Sequence, residues 1–353
     1  MITNISSQIS IETKKRPQKI EIINLLRGVA ALGVCFFHLS QTFTKYLDTN
    51  LMQNLAYYGR YGKYGITIFF VISGFIIPFS LHKRNYKVAA FFKFIKKRLI
   101  RLHPPLLAII GIICVQEYVG TLINPASAFP YSLNQILLNS LLISQYFQEV
   151  DFIRSIFWTL AVELEYYILI GLIFSFVVSP KLHIRVIVIS VLLTSILIAT
   201  SFFPSVNEAN HLLDYLPLFC LGISIFYYKS NFIKSPYFLI CICLFIGLIS
   251  LNTLSFEKVL FAWIASFLIA FINLEKLPLL FSFLGSVSYS LYLIHTTVGN
   301  LVIYYGSKLP LAGNSRLLIL FLAISVAIAC AYLIYILVEK PCMKYASKLS
   351  YGA

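Results

Sequence analysis

Apolar runs recur along nearly the whole chain and alternate with short polar or basic segments. Each run, of about 18–24 residues, is long enough for a helix that crosses a hydrocarbon core of about 30 Å. The pattern predicts ten such helices, at residues 21–41, 64–82, 104–122, 156–178, 184–203, 212–228, 236–251, 257–273, 279–303 and 316–338. A further stretch, LNQILLNSLLISQYF (133–147), carries Asn and Gln side chains that favour an interfacial or re-entrant helix. We therefore expect an all-α, polytopic integral membrane protein with about ten transmembrane helices.

The composition agrees with this class, because 59% of the 353 residues are hydrophobic and only 12% are charged. Residues 1–20 are polar and basic, and a full span rather than a short h-region follows them, so we expect no cleavable signal peptide. The seven cysteines fall mostly inside apolar runs and show neither a disulfide framework nor the spacing of metal ligands. We expect no metal cofactor.

The basic residues predict the orientation, because loops rich in Lys and Arg stay in the cytoplasm. With the N-terminus inside, the inner segments hold 20 of the 28 Lys and Arg residues and the outer loops hold 7. This imbalance predicts an even number of spans and cytoplasmic termini: an N-terminal segment (1–20), a membrane domain (21–342) and a short tail (343–353). The net charge of +15 is then mainly a topology signal, and nucleic-acid binding is not expected.

Two strongly polar side chains, Arg27 and His38, interrupt the first apolar run, LLRGVAALGVCFFHLS. An Arg at mid-membrane costs about 2.5–3.5 kcal/mol on insertion scales, so one that persists usually faces a cavity or a partner. Eleven residues turn a helix through nearly three full rotations, which places both residues on one face, about 16 Å apart along the axis. The alternatives are an Arg27 that snorkels to lipid phosphates and a His38 bonded to a backbone carbonyl.

Three other spans bring polar groups to a similar depth. The predicted directions of these spans place Ser73 near mid-membrane and lift His295 into the outer half, where His38 also lies. Glu163 lies about two turns inside the outer boundary, and a carboxylate that faces lipid is improbable. We therefore expect His38, Ser73, Glu163 and His295 to converge at one level from four helices.

Neighbouring motif positions have more ordinary interpretations. Gly74, beside Ser73 in FFVISGF, is typical of close helix packing. Trp158 lies where an aromatic anchor at the outer interface is common. Glu165 is two residues after Glu163 and so points away from its face, which makes it a second and weaker candidate for the site.

The stretch KKRLIRLHPP places two arginines at the entrance of the third span, on the inner side. Arg98 and Arg101 are three residues apart and so share a face of a helix. They are either an anchor of the positive-inside kind or an anion site, since paired guanidinium groups suit phosphates.

Six stretches together resemble the signatures of the membrane acyltransferase-3 family: RGVAALGVCFFH, FFVISGFII, the Arg98–Arg101 pair before HPP, FWTLAVELEYY, LGSVSYSLYLIH and VEKP. They occur in the family's order and span about residues 22–342. The resemblance implies a multi-pass enzyme of a bacterial-type cytoplasmic membrane that transfers acyl groups, commonly acetyl, from acyl-coenzyme A to carbohydrate hydroxyls. It implies that Arg27 and His38 match the family's essential arginine and histidine. Other recurrent motif positions of the family fall on Ser73, Gly74, Arg98, Arg101, Trp158, Glu163, Tyr292 and His295.

These observations suggest that the two polar residues of the first helix have different roles, one in donor binding and one in catalysis. We expect Arg27, Arg98 and Arg101 to hold the phosphates of cytoplasmic acetyl-CoA, and His38 to act as general base. Glu163 or another carboxylate would orient His38, and His295 or Ser73 would contact the acceptor or the oxyanion. Direct transfer is favoured over an acyl-enzyme on Ser73. The competing interpretations are a transporter or flippase of a glycan or small anion, and a related acyltransferase that acts on a small glycosylated metabolite.

Overall fold

The computed structural model describes residues 20–46, 50–147, 149–202, 211–311 and 313–349. In these ranges the chain forms helices and contains no strand. The α-helices are α1 (Glu21–Tyr46), α2 (Asn50–Gly59), α3 (Gly65–Lys83), α4 (Phe91–Ile123), α5 (Leu133–Ser140), α6 (Trp158–Val177), α7 (Leu182–Phe202), α8 (Leu212–Lys229), α9 (Pro236–Ser250), α10 (Phe256–Phe271), α11 (Leu279–Gly306), α12 (Leu317–Ile334) and α13 (Lys340–Lys348). A 3-10 helix, Arg60–Tyr64, joins α2 to α3, and a π-helix, Tyr335–Glu339, joins α12 to α13.

Each of the ten predicted spans coincides with one of these helices. Among the described residues, seven helical stretches are long and apolar enough to cross a membrane: Glu21–Tyr46, Asn50–Lys83, Val88–Ile123, Ser155–Val177, Leu212–Lys229, Leu279–Gly306 and Gly313–Lys348. The all-helical, multi-pass membrane class is therefore confirmed, whereas the count of ten stays a prediction. The helices α7, α9 and α10 account for the difference.

Side-chain contacts show whether two helices are parallel or antiparallel, and this constrains the number of membrane-crossing helices. The aromatic rings of α3 and α8 meet in the same order along both helices, Phe70 with Tyr215 at 5.1 Å and His82 with Phe226 at 5.7 Å. The two helices are therefore parallel. The helices α4 and α6 lie between α3 and α8 in the chain. If each crossing helix reverses the direction of the one before it, α4 and α6 alone would leave α8 antiparallel to α3. A third crossing, by α7, makes α8 parallel to α3.

The same argument applies to α1 and α11, which lie side by side. His38 meets His295 with ring centroids 5.3 Å apart, and Tyr46 meets Tyr304 at 5.9 Å, so these helices are also parallel. An even number of traversals must therefore precede α11. This agrees with the predicted even number of spans, and the cytoplasmic location of both termini stays a prediction.

Two segments differ from their sequence-based outlines. The segment 133–147 contains the eight-residue α5, capped where the Gln135 amide donates to Ser132 Oγ at 3.1 Å, and a short 3-10 helix, Ser144–Tyr146. A helix of eight residues is about 12 Å long, so this element does not cross a membrane, in agreement with the non-crossing interpretation. The third span begins earlier than predicted, because α4 extends from Phe91 through Pro104 and Pro105.

Glycine permits a close helix contact near the candidate site, where α3 packs on α8. A Cβ atom at Gly74 would lie 2.4 Å from the carbonyl oxygen of Phe219, and one at Gly222 would lie 2.4 Å from that of Val71. Neither position accommodates a side chain without movement of backbone. Gly74 is therefore a packing residue, as its place in FFVISGF suggested.

Candidate active site

A cavity of about 120 Å³ lies in the centre of the bundle, among α1, α3, α4, α6 and α11. Apolar side chains of these helices form most of its wall. The polar or charged residues that line it are Arg27, Ser73, Arg101, Thr159, Glu163, Tyr167, Tyr289 and Tyr292. Intramembrane ionisable groups are costly unless they face a cavity or a partner, and this arrangement provides both.

Two of the three predicted arginines line the cavity. Arg27 extends from α1 and Arg101 from α4, and their guanidinium groups are close enough to interact electrostatically. Arg98 is buried one turn earlier on α4, with its guanidinium carbon 5.2 Å from the ring centroids of both Phe94 and Tyr167. Tyr167 and Arg101 both line the cavity. Arg98 therefore supports the cavity wall through its contact with the Tyr167 ring.

The carboxylate of Glu163 is held from two sides within the same cavity. Ser73 Oγ donates a hydrogen bond to Glu163 Oε1 at 3.1 Å, and the hydroxyl of Tyr167, one turn further along α6, donates to the same oxygen. Among the described residues, no hydrogen bond or ion pair joins Glu163 to His38. The hydrogen bonds of Glu163 go to α3 and within α6, so they do not support the expectation that Glu163 orients His38, and that role stays a prediction.

His38 instead lies next to the second predicted histidine, from α11. The two rings are 5.3 Å apart, and His295 is fully buried. Nδ1 of His295 lies 3.0 Å from the carbonyl oxygen of Leu291, which can only accept, so Nδ1 carries the proton. In a neutral imidazole Nε2 is then an acceptor, and it has no hydrogen-bond partner among the described residues.

Tyr292 connects the cavity to the histidine pair. Its ring lies 6.0 Å from the ring of His295, and its hydroxyl is 2.8 Å from Thr159 Oγ1 and 3.1 Å from the carbonyl oxygen of Ile156. Both Tyr292 and Thr159 line the cavity. The four side chains expected at one level thus form two pairs, Ser73 with Glu163 and His38 with His295, on either side of this tyrosine.

Comparison with known proteins identifies the chain. The family model described as an acyltransferase domain matches residues 20–336, which is nearly the whole chain. The chain belongs to the acyltransferase-3 family. It is thus a multi-pass membrane acyltransferase. No curated protein and no solved structure gives a significant match to it.

Glu165 of the acyltransferase lies outside the cavity and joins three segments. Its Oε1 accepts from Gln145 Nε2 at 3.0 Å and from the hydroxyl of Tyr146 at 2.6 Å, and its Oε2 accepts from the Leu212 amide at 2.7 Å. Burial and the hydrogen bond to Glu165 raise the pKa of Tyr146, so its hydroxyl remains a neutral donor. Glu165 therefore fastens the segment after α5 and the start of α8 to α6.

Trp158 of the acyltransferase packs against two neighbouring helices, and its role as an interfacial anchor stays a prediction. Its ring stacks on Tyr215 of α8 at 4.9 Å and lies 6.0 Å from Phe70 of α3. It is absent from the lining of the cavity. The outer-interface interpretation did not foresee this contact, because it depends on how α3, α6 and α8 meet.

One charged residue of the acyltransferase was not predicted as part of the site. Glu339, in the VEKP stretch, is fully buried at the end of the π-helix, and Ser290 Oγ donates to its Oε2 at 2.6 Å. Its other oxygen has no hydrogen-bond partner among the described residues, and its charge interacts with that of Arg27. The available signal was a carboxylate at the boundary of the last apolar span, directly after residue 338, where an ionisable group that is buried is a functional-site candidate.

Proposed function

We propose that this acyltransferase moves an acyl group, acetyl foremost, from cytoplasmic acyl-CoA to a hydroxyl of a carbohydrate. The acceptor would be a surface polysaccharide, such as an O-antigen or exopolysaccharide, or its lipid-linked precursor, at the outer face of the cytoplasmic membrane. The proposal rests mainly on one observation: α1 carries an arginine that lines a buried cavity and, three turns later, a histidine paired with a second histidine.

The arginines of the cavity suit the anionic end of the donor. Arg27 and Arg101 would bind its phosphates, and Arg98 would hold Tyr167 and the wall of the cavity in place. The separation of about 16 Å between Arg27 and His38 is of the same order as an extended pantetheine arm. A donor held at Arg27 would therefore present its thioester carbonyl near His38.

His38 would then remove the proton from the acceptor hydroxyl as its oxygen attacks the thioester carbon. The new C–O bond forms, the tetrahedral oxyanion collapses, the C–S bond breaks, and the coenzyme A thiolate leaves and takes up a proton. His295, with Nε2 as an acceptor beside His38, would assume the orienting role that we first expected of Glu163. Ser73 and Glu163 would line the path of the pantetheine arm.

Two variants of the purified protein separate donor binding from chemistry. Arg27→Ala should weaken coenzyme A binding by about 10-fold to 100-fold, the effect of one lost charge-assisted hydrogen bond. His38→Ala should preserve that affinity and lower acyl transfer by about 10²–10⁴-fold, the usual share of a general base. Arg316→Ala is the control, because Arg316 bonds to the carbonyl of Leu311 at 2.9 Å, away from the cavity.

The assay measures both free coenzyme A and the acylated acceptor. Turnover retained by His38→Ala would contradict the base assignment, and equal coenzyme A affinity in Arg27→Ala and Arg316→Ala would contradict the donor site. A transporter or flippase would release no coenzyme A when it is supplied with acetyl-CoA and acceptor. Comparison of acceptors of different size separates a polysaccharide from a small glycosylated metabolite.

A further inference from the structure

A second concave surface lies on the histidine side of α1, where α2 folds back against it. It is an open groove of about 350 Å³, distinct from the central cavity. We call it the α1–α2 groove and define it by Phe37, Gln41, Thr44, Tyr57 and Arg60, which all line it. Nothing in the proposed chemistry at Arg27 and His38 uses these residues.

The groove is built on a fixed frame rather than on a loose loop. Gln41 Nε2, on α1, donates to the carbonyl oxygen of Ala56, on α2, at 2.9 Å. On the same side of α2, Met52 and Ala56 are 1% and 7% exposed, so this helix buries one face against the bundle. The spacing between the two walls is therefore set before any ligand arrives, which lowers the entropic cost of binding.

The exposed wall of the groove combines an aromatic face with a planar cation. Tyr57 is 52% exposed, and the guanidinium carbon of Arg60 lies 4.0 Å from the centroid of its ring. Arg60 also forms side-chain hydrogen bonds with Tyr61, at 3.3 Å, and with Tyr57. A guanidinium group carries five N–H donors, so donors remain for a ligand. Tyrosine and arginine supply large, pre-organised contact surfaces, and such residues dominate many binding sites.

Carbohydrate is the ligand class that matches this surface. The C–H face of a sugar ring is apolar and packs on an aromatic ring, while its hydroxyl groups bond with amide, hydroxyl and guanidinium groups around the edge. Gln41, Thr44 and Arg60 provide those three kinds of group in one groove.

The groove adjoins the proposed reaction centre. Phe37, one of its walls, lies with its ring centroid 4.7 Å from that of His38. Gln41 follows His38 by three residues, so the two share a face of α1 and are about 4.5 Å apart along the axis. A sugar in the groove would thus lie next to a sugar whose hydroxyl approaches His38.

We propose that the α1–α2 groove binds the second and later sugar units of an oligosaccharide or polysaccharide acceptor. This inference rests on the proposed function and makes it more specific, because it favours an extended carbohydrate chain over a single sugar or a small metabolite. The groove would raise the affinity for longer acceptors and leave donor binding to the arginines of the cavity.

The test compares acceptors of different length in proteoliposomes with labelled acetyl-CoA on one side. The probes are glucose, galactose and N-acetylglucosamine, with their β1,4-linked tetrasaccharides, all supplied on the other side. The wild-type protein should have a lower KM for at least one tetrasaccharide than for its monosaccharide. Tyr57→Ala and Arg60→Gln should each reduce this advantage by about tenfold, as for one lost contact, with an unchanged KM for acetyl-CoA.

Tyr58→Ala is the matched control, since Tyr58 is the adjacent tyrosine, 69% exposed, and does not line the groove. Equal losses in Tyr57→Ala and Tyr58→Ala would indicate interfacial anchoring and overturn the inference, as would an undiminished chain-length advantage in both groove variants. Arg60→Gln keeps the test valid if Tyr57→Ala is unstable, because the Arg60 side chain is exposed. Wild-type transfer to none of these acceptors would overturn the proposed function itself, whereas transfer with no chain-length advantage would overturn only the groove.

Discussion

Substitution of Gly74 by alanine tests how closely the site depends on the contact between α3 and α8. The added Cβ would lie 2.4 Å from the carbonyl oxygen of Phe219 and 2.8 Å from its Cα, whereas real Cβ contacts essentially never fall below 3.0 Å. Both neighbours are backbone atoms, so no rotamer change relieves the clash, and the helices must separate by about 0.6 Å or more. Overpacking of this kind costs about 1–3 kcal/mol.

The same shift should reach the cavity, because Ser73 precedes Gly74 and bonds to Glu163 at 3.1 Å. A displacement of α3 by about 0.6 Å or more, the separation that the clash requires, is enough to weaken or break that hydrogen bond. We therefore expect Gly74→Ala to lower the midpoint of thermal unfolding by roughly 2–6 °C and to reduce turnover per folded molecule.

The assay is thermal unfolding in detergent or nanodiscs, followed by turnover of the monodisperse fraction. Gly111→Ala on α4 is the control, since a Cβ at Gly111 meets no atom within 4 Å. It should be neutral or slightly stabilising, because alanine has the higher helix propensity. If Gly74→Ala unfolds at the same temperature as Gly111→Ala and keeps wild-type turnover, the packing argument is refuted.

Two further substitutions test Glu165 and Glu339, two carboxylates whose contacts the sequence did not predict. Glu165→Ala removes the acceptor of three hydrogen bonds, so thermal unfolding should show a loss of about 2–4 kcal/mol, while the coenzyme A affinity of the remaining folded protein stays unchanged. Glu339→Gln removes the negative charge near Arg27, so the ligand-free protein should unfold at a lower temperature. In Glu339→Gln the stabilisation by added coenzyme A should exceed that of the wild type, because the phosphates supply the missing counter-charge, and a smaller stabilisation would contradict the pairing.

The sequence predicted the helical elements well because each depends on local hydrophobicity. All ten predicted spans coincide with helices, and α1 runs unbroken from Arg27 to His38, as their spacing required. The membrane imposes this regularity, because a buried backbone without internal hydrogen bonds is too costly in lipid. The ionisable residues within the apolar runs were therefore recognisable as site candidates from the hydropathy pattern alone.

The pairing of those candidates was not predictable in the same way. Depth along a helix follows from residue number, but the neighbour that a side chain meets depends on the order and rotation of the packed helices. Depth alone grouped Glu163 with His38, whereas α6 turns Glu163 to Ser73, and α11 brings His295 to His38. Glu165 illustrates the same limit, because its partner Leu212 is 47 residues away in sequence.

Under the proposed function, the placement of charge on α1 solves a problem of solvation. The phosphates of the donor are costly to bury in a low-dielectric bundle unless cations meet them, so the arginines of the cavity must hold them while the acyl group reaches an acceptor on the other side. A rigid helix that carries Arg27 at one level and His38 about 16 Å further along separates the two requirements, because only the neutral thioester arm has to continue from the arginines to His38. The carbohydrate, which is polar but uncharged at its hydroxyls, then needs only the open groove beside Gln41 and Tyr57.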